Sequence, residues 1–95
     1  MRLIMADICM KFAHHYAPDE VKKRIQNAFE KSSEKFMLTT MWDENTCHIS
    51  GPVKGVVNIT SQEIIIEIKL GLAMKLMRST IEEGLRSSIE KVLKR

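Results

Sequence analysis

The sequence predicts an α+β fold with the chain order β-α-β-β-β-β-α, in which an antiparallel, curved five-stranded sheet carries the long C-terminal helix packed across its concave face. Two observations indicate this fold. Residues 64–70 alternate at the strand period, and residues 72–93, after Gly71, carry apolar side chains at the helical period. In addition, most strands form one block between two helices, which is typical of α+β proteins with an antiparallel sheet.

The last strand is predicted to bury one of its two faces. Its first face is wholly apolar, whereas its second face is mixed, with Glu63, Ile65, Glu67 and Lys69. This contrast indicates a sheet with one covered side. The apolar face consists of Ile64, Ile66, Ile68 and Leu70. We expect Gly71 to provide a sharp turn that other residues would not adopt.

The C-terminal helix is predicted to be continuous from residue 72 to residue 93. Glu82 with Arg86, and Glu90 with Lys94, are spaced to pair four residues apart on its polar side. The opposite side forms a single apolar stripe that should lie on the sheet. This stripe consists of Leu72, Leu76, Met77, Ile81, Leu85, Ile89, Val92 and Leu93.

The first strand and the first helix occupy the N-terminal third. Residues 3–16 alternate as a strand, whose better core face consists of Ile4, Ala6, Ile8, Met10 and Phe12. Pro18 then begins a helix, with Asp19 and Glu20 at its positive end. The buried stripe of this helix is predicted to be Val21, Ile25, Ala28, Phe29 and Phe36.

Three more strands are predicted between the helices. They cover residues 37–42, 46–50 and 53–60, separated by a hairpin turn at 43–45 and by Gly51-Pro52. Val53, Gly55, Val57 and Ile59 share one face of the third of these strands. The strand order within the sheet cannot be read from the periodicity.

Composition indicates one globular domain over residues 1–95. Of the 95 residues, 44% are hydrophobic and 28% are charged, and the net charge of +3 is spread along the chain. Because a nucleic-acid-binding face usually concentrates Lys and Arg, we expect no nucleic acid partner. No apolar run reaches the length of a membrane span. Two cysteines, Cys9 and Cys47, far apart in the chain, favour a reduced, cytoplasmic location.

No catalytic, metal or cofactor site is predicted. His14 and His15 are adjacent and point to opposite faces of a strand, as do Cys47 and His48, so neither pair can easily share a metal ion. We interpret His14 as a hydrogen-bonded structural histidine. The cysteines are a redox pair only if their strands are adjacent, and their apolar flanks favour buried positions instead.

Apolar contact is the better-supported kind of function. Trp42 either packs at the sheet edge or contacts an apolar ligand, and several methionines suit a loosely specified apolar partner. A cavity between helix and sheet would be lined by Met10, Trp42, Ile66 and Met77. Ile65 and Val56 fall on the outer sheet face, which a second subunit or an apolar partner could cover.

The second half of the chain resembles the putative polyhydroxyalkanoic acid system protein family. The resemblance is carried by Trp42-Asp43 before a hairpin, by Gly51-x-x-x-Gly55, and by Leu70-Gly71-Leu72 leading into Ile81-Glu82-x-x-Leu85. A strand ending at His14 and a helix with Ala28-Phe29 inside extend it to about residues 6–93. One departure is Tyr16-Ala17-Pro18, where the family tends to carry a serine-type cap.

This resemblance implies a bacterial protein associated with polyhydroxyalkanoate storage granules or their metabolism. The family carries no established catalytic residues, so none is transferred, and a non-enzymatic role is expected. Three functions stay open at this point. They are a granule-associated or regulatory protein, a small carrier of an apolar ligand with a helix-grip fold, and a homodimeric interaction module.

Overall fold

The computed structural model describes residues 6–94, except for the side chains of residues 31–33, 35 and 36. It confirms the α+β class, the five-stranded antiparallel sheet and the C-terminal helix. The elements in chain order are β1 (Ile8–Ala13), α1 (Pro18–Phe36), β2 (Thr39–Asp43), β3 (Thr46–Ser50), β4 (Val53–Ile59), β5 (Glu63–Leu70), α2 (Leu72–Lys75) and α3 (Arg78–Leu93).

The strand order in the sheet is β1-β5-β4-β3-β2, and every neighbouring pair is antiparallel. Short turns connect β2 to β3, β3 to β4, and β4 to β5. The last strand therefore lies between its hairpin partner β4 and the first strand, β1. Asp7, just before β1, stabilises the pairing of β1 with the last residues of β5, because its carboxylate accepts a 2.8 Å hydrogen bond from the backbone N–H of Leu70.

The core lies on one face of the sheet, which we call the inner face. A single row crosses it from strand to strand, formed by Met10, Ile66, Val57, Cys47 and Trp42. The four apolar residues of β5 predicted to face inward are each at most 2% exposed. Val21 and Ile25 of α1 and Ile89 of α3 are fully buried, so the two helices cover this face together.

Two side chains from the first third of the chain, Tyr16 and Arg24, form hydrogen bonds with the C-terminal end of α3. The Arg24 Nη1 atom donates a 2.8 Å hydrogen bond to the carbonyl oxygen of Val92, and the Tyr16 hydroxyl donates one of 3.1 Å to that of Leu93. The last carbonyls of a helix have no partner within it, so these bonds satisfy groups that would otherwise need water. Arg24 is itself held by Glu20, 2.9 Å away, and lies over the Tyr16 ring.

The prediction of one continuous C-terminal helix is wrong, because the helix is interrupted at Leu76 and Met77. The N–H of Met77 bonds to the carbonyl of Met74, only three residues back, and a new helix begins from there. No residue of α2 is buried, and in α3 only Ile89 and Val92 are.

The interruption lies just beyond the end of β5. Gly71 lies beside the β3–β4 loop, with the carbonyl of Pro52 3.5 Å from where a Cβ would be. Met74 of α2 packs against the core, whereas Leu72 and, just after α2, Leu76 are exposed. Gly71 itself has φ −70° and ψ 168°, angles open to any residue, so the predicted need for glycine there is also wrong.

The other predicted elements need smaller corrections. The first strand covers Ile8–Ala13, not residues 3–16, and Ile4 lies outside the described residues. Ile8 and Met10 are buried, whereas Phe12 is half-buried. In α1 the predicted stripe is confirmed at Val21, Ile25 and Phe29, with Ala28 half-buried, and the Phe36 side chain is not described.

Two glycine substitutions should change stability in opposite directions. A Cβ on Gly55 would lie 2.5 Å from the carbonyl oxygen of Glu67 and 2.6 Å from the Ile68 Cδ1 atom, whereas one on Gly84, within α3, would meet nothing within 4 Å. We expect Gly55→Ala to lower the free energy of unfolding by about 1–3 kcal/mol, and Gly84→Ala to raise it by about 0.8–1 kcal/mol. Urea denaturation followed by circular dichroism measures both, and equal effects would contradict the packing of β4 on β5.

Candidate functional site

The most exposed apolar segment among the described residues is the turn of chain that joins β5 to α3. We call residues 72–77 the apolar bend. Leu72 is 87% exposed, Leu76 94% and Met77 44%, whereas Met74 packs against the core. Single exposed leucines are common, but several together on one short segment indicate a surface used for contact.

The sequence contained a signal for this bend that the helical periodicity concealed. Residues 70–77 read Leu-Gly-Leu-Ala-Met-Lys-Leu-Met, which is apolar on every side of a helix except at Lys75. A helix that covers a sheet needs only one apolar side. The prediction placed Leu72 and Leu76 on that apolar side, whereas the structure leaves both exposed.

The structure does not bring the four predicted cavity residues around one cavity. Met10 and Ile66 are directly opposed on β1 and β5 and are packed in the core, 5% and 0% exposed. Trp42 belongs to the same row but lies three strands from Ile66, about 14 Å across the sheet. Buried Val57 and Cys47 occupy the positions between them. Met77 belongs to the apolar bend.

Trp42 packs at the sheet edge, which is the first of the two alternatives that the sequence left open for it. It lies on the edge strand β2, is half-buried and contacts the core. The ammonium of Lys22, on α1, lies 5.2 Å from the centre of its ring. This helix therefore covers the end of the sheet that Trp42 occupies.

Ile65 and Val56 lie on the opposite face of the sheet, which we call the outer face. Both are half-buried, and their neighbours across the strands include Lys11, Asn58, Glu67 and His48. The outer face is therefore mixed rather than apolar.

His14 has the structural role that the sequence predicted. It is 4% exposed and follows directly after β1. Its Nε2 atom lies 2.8 Å from the carbonyl oxygen of Thr60, and its Nδ1 atom accepts a 3.2 Å hydrogen bond from the N–H of Tyr16. Nε2 must then carry the proton in the neutral ring, since Nδ1 accepts. The imidazole thus connects the start of the α1 segment to the β4–β5 turn.

Removing this imidazole should destabilise the fold without touching the surface. We expect His14→Ala to lower the free energy of unfolding by about 1–3 kcal/mol, because a buried carbonyl and a buried N–H lose their partner. The exposed neighbour His15→Ala should change it by less than about 0.5 kcal/mol. Thermal and urea unfolding of the two variants make the comparison, and equal losses would exclude the structural role of His14.

The two cysteines lie in different environments, so the prediction that both are buried is wrong for Cys9. Cys9 points to the outer face and is exposed, whereas Cys47 points to the inner face and is fully buried. They lie on opposite faces with two strands between their own, which excludes a disulfide between them. Burial raises the pKa of the Cys47 thiol, which keeps it protonated and unreactive.

Thiol labelling should separate the two residues. In the native protein we expect a thiol reagent to modify Cys9 alone, with Cys47 modified only after unfolding, because reaction requires an accessible thiolate. Mass spectrometry of peptides from native and urea-treated samples measures this. The Cys9→Ser variant is the control and should react only when unfolded. Fast labelling of Cys47 in the native state would contradict its place in the core.

An open groove lies between α1 and α3, on the side of the helices away from the sheet. Its volume is about 520 Å³. It is lined by Arg24, Asn27, Ala28, Ser88, Lys91 and Val92. We call it the interhelical groove. The interhelical groove could not be predicted from the sequence, because the residues that line it come together only when the two helices pack side by side.

Within residues 6–94, no group of three or more His, Cys, Asp or Glu side chains is placed to hold a metal ion. No helix in this part of the chain is long and apolar enough to cross a membrane.

Comparison with protein families supports the resemblance seen in the sequence. The family model described as putative polyhydroxyalkanoic acid system protein matches residues 8–93, from the first strand to the end of α3. The chain belongs to this family. Comparison with curated proteins and with solved structures gives no significant match.

Proposed function

We propose that this protein is a non-enzymatic member of the polyhydroxyalkanoate system that attaches to the granule surface through its apolar bend. The observation that carries the proposal is the exposure of Leu72 and Leu76, 87% and 94%, whereas every other leucine, isoleucine and valine that the structure describes is buried or half-buried. Family membership supplies the partner, because the polymer is an apolar polyester with a wet boundary.

The apolar bend has the composition needed to adsorb at such a boundary. Leu72, Leu76 and Met77 present apolar side chains, while Lys75 and Arg78 beside them are exposed cations. Long basic side chains can lay their methylenes along an apolar surface and keep their charge in water. The bend can therefore enter the surface without burying a charge.

The energy available limits attachment through the bend to a weak, reversible contact. Full burial of a leucine side chain contributes about 1.5–3 kcal/mol. Two leucines thus supply several kcal/mol, against which the loss of translational and rotational freedom must be set. Attachment through this segment alone should be reversible, which suits a protein that moves between the cytoplasm and granules.

The structural roles of His14 and Cys47 support the proposed non-enzymatic function. His14 is committed to two hydrogen bonds and Cys47 is buried in the core. The outer face offers a weaker apolar contact than the bend, because Ile65 and Val56 are half-buried and lie opposite polar or charged residues on the neighbouring strands. A carrier function through an inner cavity is not favoured, since the residues predicted to line it do not converge.

Granule fractionation tests the proposal directly. The chain would be expressed in a polymer-accumulating bacterium, and its distribution between purified granules and soluble extract measured by quantitative immunoblot. We expect Leu72→Ser/Leu76→Ser to lower the granule-bound fraction at least about tenfold, since one leucine transfer alone is worth that factor. The free energy of unfolding of this double variant should stay within about 0.5 kcal/mol of the wild-type value, because both positions are exposed.

The matched control removes two exposed methionines elsewhere. Met37 and Met41 are 82% and 68% exposed at the β2 edge, so Met37→Ser/Met41→Ser deletes comparable apolar surface outside the bend. This control should stay on the granules. A wild-type chain found wholly in the soluble fraction would overturn the proposal, and equal losses in both double variants would show that adsorption is not specific to the bend.

A further inference from the structure

We infer that the interhelical groove binds the carboxylate of a short hydroxy acid, of the kind that forms the monomers and the chain ends of the polyester. The groove lies beside the C-terminal half of α3, whereas the apolar bend precedes α3. It is therefore a second site, separate from the proposed granule contact. The class of acid rests on the proposed function, because the groove alone selects only a carboxylate on a short apolar chain.

The charges at the groove favour an anion. Two of its six lining residues are cations, Arg24 and Lys91, and none is a carboxylate. The Arg24 guanidinium bonds to Glu20 through Nε, which offsets part of its charge. Lys91 is exposed, and among the residues that the structure describes it takes part in no ion pair. Lys91 is thus the main source of net positive charge, and a carboxylate would be its natural partner.

Arg24 is held in a fixed position at the groove. Its Nε atom bonds to Glu20 at 2.9 Å, its Nη1 atom bonds to the Val92 carbonyl at 2.8 Å, and its guanidinium lies 4.2 Å from the centre of the Tyr16 ring. The hydrogen bond to Glu20 raises the pKa of Arg24, so the guanidinium stays charged. A fixed donor loses little freedom when a ligand binds, which favours recognition over loose attraction.

The remaining lining residues match the other parts of a hydroxy acid. Ala28 and Val92 provide apolar surface for a short alkyl chain, and Val92 is 8% exposed. Asn27 and Ser88, on opposite helices, provide side-chain groups that can donate to or accept from a hydroxyl. The groove is open to solvent, so we expect weak binding, with a dissociation constant on the order of millimolar.

A titration with sodium 3-hydroxybutanoate tests the inference. The full chain would be labelled with ¹⁵N, and its amide chemical shifts would be recorded at constant ionic strength as the acid is added. Shifts should concentrate at residues 24–28 and 88–92. Lys91→Gln should weaken binding about three- to fivefold, the effect of one exposed charge pair. Lys54→Gln, an exposed lysine on the outer face, is the matched control and should bind as wild type does. The uncharged analogue 3-hydroxybutanamide should produce no saturable shift.

Soluble oligomers of the same acid identify the source of the carboxylate. A free-carboxyl oligomer that binds more tightly than the monomer, with its methyl ester inactive, would assign the groove to polymer chain ends. Equal affinity for monomer and oligomer would assign it to the free acid. Unchanged affinity in Lys91→Gln, shifts of equal size with the amide, or shifts located on the sheet would each overturn the inference.

This experiment fails independently of the granule test. Leu72→Ser/Leu76→Ser should retain wild-type affinity for the acid, because the bend does not line the groove. A chain that binds the acid but never reaches granules would refute the proposed function and leave the groove assigned. A chain that is found on granules but binds no acid would refute the inference about the groove and leave the proposed function standing.

Discussion

Burial of one face of the sheet is the constraint on which the rest of the molecule depends. The inward residues of β5 pair with Ile8 and Met10 on one side and with Gly55, Val57 and Ile59 on the other, which makes a continuous apolar surface. One amphipathic helix is too narrow to cover it, so both long helices lie on it side by side. Their ends are then joined by Arg24 and Tyr16, and the space left between the helices becomes the interhelical groove.

Most of the fold could be predicted because the two faces of each strand differ in chemistry. The alternation over residues 63–70 predicted both that strand and its buried side, and Pro18 followed by two acids predicted the start of α1. His14 could be assigned a structural role from its place between a strand and a helix. These features are local, so a single sequence contains them.

The misassigned features depend on contacts between distant segments. Helical spacing continues through Leu76 and Met77 without Gly or Pro, so the sequence has no local signal for the interruption that the structure shows there. The outward position of Cys9 is an exception, because its alternation with the core residues Ile8 and Met10 already places it on the other face. The groove combines residues 24–28 with residues 88–92, and no local pattern relates them. The candidate site was therefore less predictable than the fold.

The position of β5 has a consequence for how the chain folds during synthesis. β1 is made first, yet its only hydrogen-bonded neighbour is the strand made last. Until residues 63–70 leave the ribosome, β1 has no native partner, and the helices that cover it cannot both be in place. A nascent chain therefore carries an unpaired apolar strand while the helix and the three strands that precede β5 are made, a state open to aggregation and to capture by chaperones.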